Sequence, residues 1–143
     1  MTLTPEEQDQ RRSYLRDGMC TTPYISGLGL VIEQWSPDGV RLRLPFAPTL
    51  TNDGHAMHGG AIASLIDTTG AAAVWAGHDF DKGMRAATVS LTVNYTGAAR
   101  DADLVADAVC LKRGRDLAFT EIHVDDEHGT AVANGTLVYR IVP

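Results

Sequence analysis

Hydrophobic and polar positions alternate along this chain with two different periods, and the change of period divides it into elements. Over residues 28 to 46, Leu28, Leu30 and Ile32 alternate with smaller or polar residues. Val40, Leu42, Leu44 and Phe46 then alternate with residues that include Arg41 and Arg43. Period-two alternation marks half-buried strands. Between the two runs lies Ser36-Pro37-Asp38-Gly39, where proline presets φ and glycine accepts a positive φ. A hairpin is expected. Over 86 to 96, Val89, Leu91, Val93 and Tyr95 should face one way, and Thr88, Ser90, Thr92 and Asn94 the other. Strands over 103–112, 117–125 and 131–142 follow, with turns at Arg113-Gly114 and His128-Gly129.

Two segments break the strand rhythm. Residues 4–17 predict a helix: Thr4 can cap it, Pro5 suits its first turn, and Glu7 stands where a capping box needs an acid. Its body is highly charged, so a surface position is expected. The second segment, 58–76 (HGGAIASLIDTTGAAAVWA), is too long for an ordinary strand and rich in alanine. Its sides are small or apolar nearly all round, as in a buried helix. A polar loop over 47–57 leads into it. One central helix and six strands give an α+β layout, an antiparallel sheet wrapped around the helix. The 143 residues fit one domain over 1–143, with 44% hydrophobic residues to fill a core.

Charge narrows the function classes. The formal net charge is -6, which argues against a general partner of nucleic acid or of anionic membranes, both of which need a basic footprint. Cys20 and Cys110 lie far apart without metal-ligand spacing, so reduced, partly buried thiols are expected. The N-terminus is polar and acidic, and the longest apolar stretch, Ala71 to Ala76, is far short of a membrane span. A soluble cytoplasmic protein is expected.

The chemistry concentrates on 58–76. Asp67 is the one acid between Gly59 and Gly77, and a helical projection sets it beside Ala63, Ala71 and Val74. An unpartnered carboxylate in such surroundings costs several kcal/mol. Either it caps a neighbouring backbone group, or it faces a cleft as base or nucleophile. At the helix start, His58-Gly59-Gly60 offers first-turn amides with no internal partner, at the positive end of the dipole. Such amides can hold a developing oxyanion; the same residues could equally form a tight turn with His58 bonded to the loop. Asp67 lies eight residues after Gly59, about 12 Å along the helix axis. One chain would struggle to bring both groups to one carbonyl. If they act together, two subunits must contribute, which is a physical reason to expect a dimer.

These residues resemble the hotdog-fold acyl-CoA thioesterases, in particular the phenylacetate-pathway (PaaI-type) branch. The resemblance rests on Asn52-Asp53-Gly54-His55-Ala56-Met57-His58-Gly59-Gly60 followed by Ser64-Leu65-Ile66-Asp67. It continues through Val93-Asn94-Tyr95 and Gly114-Arg115-Asp116-Leu117-Ala118-Phe119-Thr120, covering roughly 25 to 142. It implies a hotdog fold and hydrolysis of an acyl- or arylacyl-CoA to free acid and CoA. In that scheme Asp67 is nucleophile or general base, and the Gly59 amide polarises the thioester carbonyl. Asn52 helps position water or thioester, His58 supports the site, and Thr88 assists the acid. No metal or redox cofactor is implied, CoA being part of the substrate and product. Association as a homodimer or a dimer of dimers (a homotetramer) is implied, with the Asp of one subunit facing the Gly amide of the next.

Coenzyme A carries phosphates, which call for cations despite the acidic total. Lys112, Arg113 and Arg115 around Gly114 are the candidate cluster, although such a cluster also suits an ordinary basic turn. Tyr95, Thr96 and Arg100 resemble family segments near the nucleotide and pantetheine, and Gly60 completes the substrate-facing turn. His55, His78, His123 and His128 read as surface or loop residues. Met57, Phe46 and Trp75 could line an acyl tunnel but suit a core as well. Hydratases of the fold carry a His five residues after the Asp, where this chain has Ala72; dehydratases carry a helix Glu, absent from 58–76. The alternative to hydrolysis is a non-catalytic acyl-CoA-binding module.

Overall fold

The computed structural model describes residues 2–143. The elements run α1 (Pro5–Gly18), α2 (Pro23–Ser26), β1 (Val31–Ser36), β2 (Gly39–Leu44), α3 (Gly59–Ala76), β3 (Arg85–Tyr95), β4 (Leu104–Arg113), β5 (Leu117–Asp126) and β6 (Ala131–Val142). The six strands form one sheet in the order β1-β2-β4-β5-β6-β3, antiparallel at every pairing. α3 lies across one face and packs against strands from β1 to β6. This is the hotdog arrangement, as the resemblance implies.

The core forms where the two periodicities meet. Leu65 and Ile66 of α3 are fully buried against Leu42, Leu44, Leu104, Ile122 and Leu137, the inward residues of their strands. Each such side chain contributes about 1.5–3 kcal/mol by leaving water. α3 also sits close to the sheet backbone: a Cβ on Gly135 of β6 would come within 2.8 Å of Ile66 Cγ2. Met57 and Trp75 are buried and Phe46 packs against the core, so these three serve packing.

α1 has the expected capping box: Thr4 Oγ1 accepts from the Glu7 amide while the Glu7 carboxylate accepts from the Thr4 amide. The bond from the Thr4 amide, helped by the Thr4 hydroxyl, holds the Glu7 carboxyl below its usual range. No α1 residue is buried. The helix docks through the partly buried Leu15, packed against the cluster of Val74, Trp75 and Phe80, and through polar atoms. Gln8 accepts from the Phe80 amide and donates to Asp79, and Arg12 donates to the His78 carbonyl.

Four expectations need correction. The strand expected from residue 28 begins at Val31, because α2 and Gly29, at φ 74°, redirect the chain first. In the β1–β2 turn the positive φ belongs to Asp38, at 64°, and not to Gly39; a short Asp side chain tolerates that region. His78 is buried, only 5% exposed, edge-on to the rings of Trp75 and Phe80, with Nε2 bonded to the Gly83 carbonyl at 2.9 Å.

The fourth correction shapes the site. A bulge interrupts β3 between Thr88 and Ser90. Thr88 stands opposite Tyr139, Ser90 opposite Val138, and Leu91 opposite the buried Leu137. Val89 is the extra residue, 57% exposed. Thr88 therefore shares the α3-facing side with Leu91, Val93 and Tyr95, where strict alternation would put it outside.

Burial pushes the His78 pKa below its ordinary 6.5, against the opposing effect of its bond to Gly83. A depressed histidine pKa means that the unfolded chain binds the extra proton first. The stability from burying neutral His78 is complete above pH 6.5 and is lost as the pH falls through the folded-state value. Thermal unfolding between pH 5 and 8 should show this slope, and His78→Gln should flatten it; an unchanged slope would refute the assignment.

Candidate functional site

α3 opens with a specific set of bonds. His58 is the N-cap, with extended backbone at φ -63°, ψ 136°. Its Nδ1 accepts from the Gly60 amide at 2.7 Å, which fixes the neutral ring with its proton on Nε2. The His58 carbonyl accepts from Ala61 and Ile62 at 3.0 and 3.2 Å. A trans peptide points its N–H opposite to its carbonyl, so the Gly59 N–H is directed out of the helix end. That amide has no acceptor among the described residues. Of the two glycine amides that open the helix, Gly60's is thus bonded and Gly59's is a free donor.

Asp67 lies two turns on, half-buried, on a stripe with the half-buried Ala63, Ser64 and Ala71. Thr88 Oγ1 donates to Asp67 Oδ1 at 2.7 Å. Oδ2 accepts nothing from the described residues, leaving one carboxylate oxygen for water or an acyl carbon. Of the expected site residues, the structure brings Thr88 to Asp67 and keeps His58 with Gly59 and Gly60. It does not bring Asp67 to Gly59; they remain about 12 Å apart along one helix.

Tyr139 was missed by the sequence reading. It stands across from Thr88 on β6 and its oxygen accepts from Trp75 Nε1 at 3.1 Å. Burial raises its pKa, and the negative charge of Asp67 adds to the rise, against the Trp75 bond. The alternation of Leu137, Tyr139 and Ile141 was the available signal for its inward side.

The loop before α3 is built on Asp53, whose carboxylate accepts from the His55 and Ala56 amides at 2.9 and 2.8 Å. These bonds lower its pKa. Asn52 is exposed in this loop, its amide donating to the Ala56 carbonyl. The Met57 amide donates to Ala99, tying the loop to the segment after β3.

Residues 54–133 match the thioesterase superfamily. The chain belongs to that superfamily. A candidate esterase of Halobacterium salinarum is 38% identical over 117 residues, covering 80% of this chain and 77% of that protein. The PaaI protein from the phenylacetic acid degradation operon of Escherichia coli superposes with a TM-score of 0.80 at 18% identity, over 94% of this chain and 95% of that one. A hypothetical thioesterase of Streptococcus pneumoniae, solved with coenzyme A, superposes with a TM-score of 0.76 at 20% identity, over 90% of this chain and 96% of that one. At those identities the two structures establish the shared fold.

Within this superfamily member, the expected phosphate-binding residues separate into two groups. Arg113 is engaged inside the chain. Its guanidinium pairs with Asp38, with Nε to Oδ1 at 2.8 Å, and donates to the Val74 carbonyl at 2.7 Å. It clamps the C-terminal end of α3 to the β1–β2 turn and is not a free cation for a ligand. Lys112 and Arg115 stay exposed beside the exposed Gly114. They sit near the end of α3 that lies roughly 25 Å from Gly59. Arg100 is exposed and 3.7 Å from Asp53, close to the loop before α3. Thr96 is exposed, its amide bonded to Val132. Tyr95 donates to the Gly59 carbonyl at 2.8 Å.

The His58 cap yields a sign test. A Cβ on Gly60 would stand 2.9 Å from His58 Nδ1, so Gly60→Ala should expel the ring and cost about 1 kcal/mol, the worth of a cap. In a His58→Ala background the same change should stabilise by about 0.5–1 kcal/mol, since alanine exceeds glycine as a helix former. Denaturant unfolding of the four proteins measures both; equal effects in the two backgrounds would contradict the cap.

Proposed function

We propose that this protein is an acyl-CoA thioester hydrolase whose sites each combine Asp67 of one subunit with the Gly59 amide of another. The observation that carries the reading is the pairing of a free helix-end donor with a carboxylate that keeps one oxygen unbonded, on one helix but too far apart to share a carbonyl.

The chemistry follows from those two groups. The thioester carbonyl oxygen accepts from Gly59 N–H, which strengthens its bond as the oxygen gains negative charge. In the general-base route Asp67 takes a proton from water while the oxygen attacks the acyl carbon. The tetrahedral oxyanion collapses, the C–S bond breaks, and the proton passes to the departing thiolate. In the nucleophilic route Asp67 attacks first and the C–S bond breaks, leaving a mixed anhydride and the thiolate; water then cleaves the anhydride, restoring the carboxylate and supplying the thiolate's proton. Thr88 holds the carboxylate in either route. Water, thioester and Asp67 supply every proton and electron pair, so no cofactor is called for. The coenzyme A bound by the streptococcal protein of the same fold supports this ligand class. Lys112, Arg115 and Arg100 are the exposed cations available to its phosphates, with Asn52, Gly60, Thr96 and Gly114 lining the approach.

The sheet supports the two-subunit site. β3 is an edge strand of 11 residues with no proline or lysine and with exposed Val89 and Tyr95. A long, uncovered edge strand invites pairing with another strand. Isologous pairing of β3 with its copy about a two-fold axis covers it and sets α3 of one subunit beside that of the other. A dimer of dimers is the further assembly we expect, to be read by sedimentation.

Thiol release from a panel of acyl- and arylacyl-CoAs tests the activity. Asp67→Asn should lower kcat at least about 100-fold, while acyl-CoA bound without thiol release by the native protein would favour a binding module. Subunit mixing tests the shared site. Gly59→Pro removes the amide hydrogen at a first-turn position that tolerates proline. Asp67→Asn and Gly59→Pro subunits, each inactive alone, should recover about a quarter of native activity when refolded together, because half the dimers are mixed and each has one intact site. Absence of recovery in confirmed mixed dimers would contradict the arrangement.

A further inference from the structure

We propose that Tyr95 is a positioning residue for the oxyanion-holding amide, acting through the Gly59–Gly60 peptide rather than as a wall for the CoA nucleotide. This rests on the thioesterase reading above.

The helix start poses a physical problem. Gly59 and Gly60 are the first two helical residues, and glycine is the most conformationally free residue. First-turn amides lack the bonds that hold the rest of a helix. Left alone, such a turn frays, and a frayed donor has no fixed direction. Electrostatic stabilisation of an oxyanion works only if the donor is already oriented.

The peptide that joins the two glycines is held at both ends. Its carbonyl, that of Gly59, accepts from Tyr95 Oη at 2.8 Å. Its N–H, that of Gly60, donates to His58 Nδ1 at 2.7 Å. The Tyr95 ring also lies flush with Gly59, 3.5 Å from where a Cβ would stand. The preceding peptide, which carries the free Gly59 N–H, is pinned through its own carbonyl by Ala61 and Ile62. Both planes that meet at the Gly59 Cα are therefore fixed, one by the helix and one by Tyr95 with His58.

Tyr95 is the last residue of β3, the strand whose Thr88 holds Asp67. Its hydroxyl proton is already committed to a backbone carbonyl. A residue that donated that hydroxyl proton to a nucleotide would have to release Gly59 to do so.

The test is Tyr95→Phe, which removes the hydroxyl and keeps the ring against Gly59. We expect kcat to fall about tenfold with KM within about twofold, and native thermal stability to be nearly kept. Amide hydrogen exchange should quicken several-fold at Gly60 and stay unchanged at Leu137 in the core. An unchanged kcat with raised KM would overturn the proposal in favour of substrate contact. Unchanged exchange at Gly60, or faster exchange with unchanged kcat, would also overturn it. If the native protein hydrolyses no acyl-CoA, the functional reading fails separately, and exchange at Gly60 alone decides whether the clamp exists.

Discussion

A single helix cannot bring its first turn and its middle to the same point. That constraint governs this protein. α3 carries the free amide at Gly59 and the half-bonded carboxylate at Asp67, and its 1.5 Å rise per residue separates them by about 12 Å. A site that uses both must be completed by another copy of the helix. The requirement then passes to the sheet, which must present an edge able to carry that copy alongside. β3 has such an edge, and the same strand supports both groups. Thr88 at one end bonds Asp67, and Tyr95 at the other bonds the Gly59 carbonyl. The proposed assembly and chemistry would thereby be tied to one element: a shift of β3 would disturb the carboxylate, the amide and the proposed interface together.

The bulge at Val89 is what lets one strand do this. A regular strand from Tyr95 back to Thr88 would point those two residues to opposite faces, because they are seven positions apart and the side-chain period is two. One extra residue restores the match. The exposed Val89 beside Thr88, which bonds Asp67, is therefore what lets Thr88 and Tyr95 share a face and not a flaw in the strand.

The fold was legible because its signals are local. Alternation in 40–46 and 117–142, the Thr4–Glu7 capping box and the alanine-rich α3 each depend on neighbouring residues alone. The anomaly of Asp67 and the free turn at His58-Gly59-Gly60 were legible for the same reason. What was not legible depends on partners far along the chain. The register of β3 against β6 decides where Thr88 points. Arg113 meets Asp38 across 75 positions, so a basic turn that reads as a phosphate site becomes in part a structural clamp. His78 reads as a loop residue until Trp75 and Phe80 close around it. Tyr139 comes beneath Asp67 only through the pairing of two strands.

The two ends of α3 are treated differently, and the difference bears on which end works. At the C-terminal end the partial negative charge of the helix is met inside the chain: Arg113 donates to the Val74 carbonyl and is itself neutralised by Asp38. At the N-terminal end one amide is met by His58, a neutral acceptor, and the next is left free. No carboxylate occupies the first turn of α3, although acids are the usual complement to that end of the dipole. An Asp or Glu there would stabilise the helix and also compete with any oxyanion for the Gly59 amide. Glycine and histidine forgo that stabilisation; in the proposed function, the positive end of the helix is kept for charge that develops on the thioester oxygen.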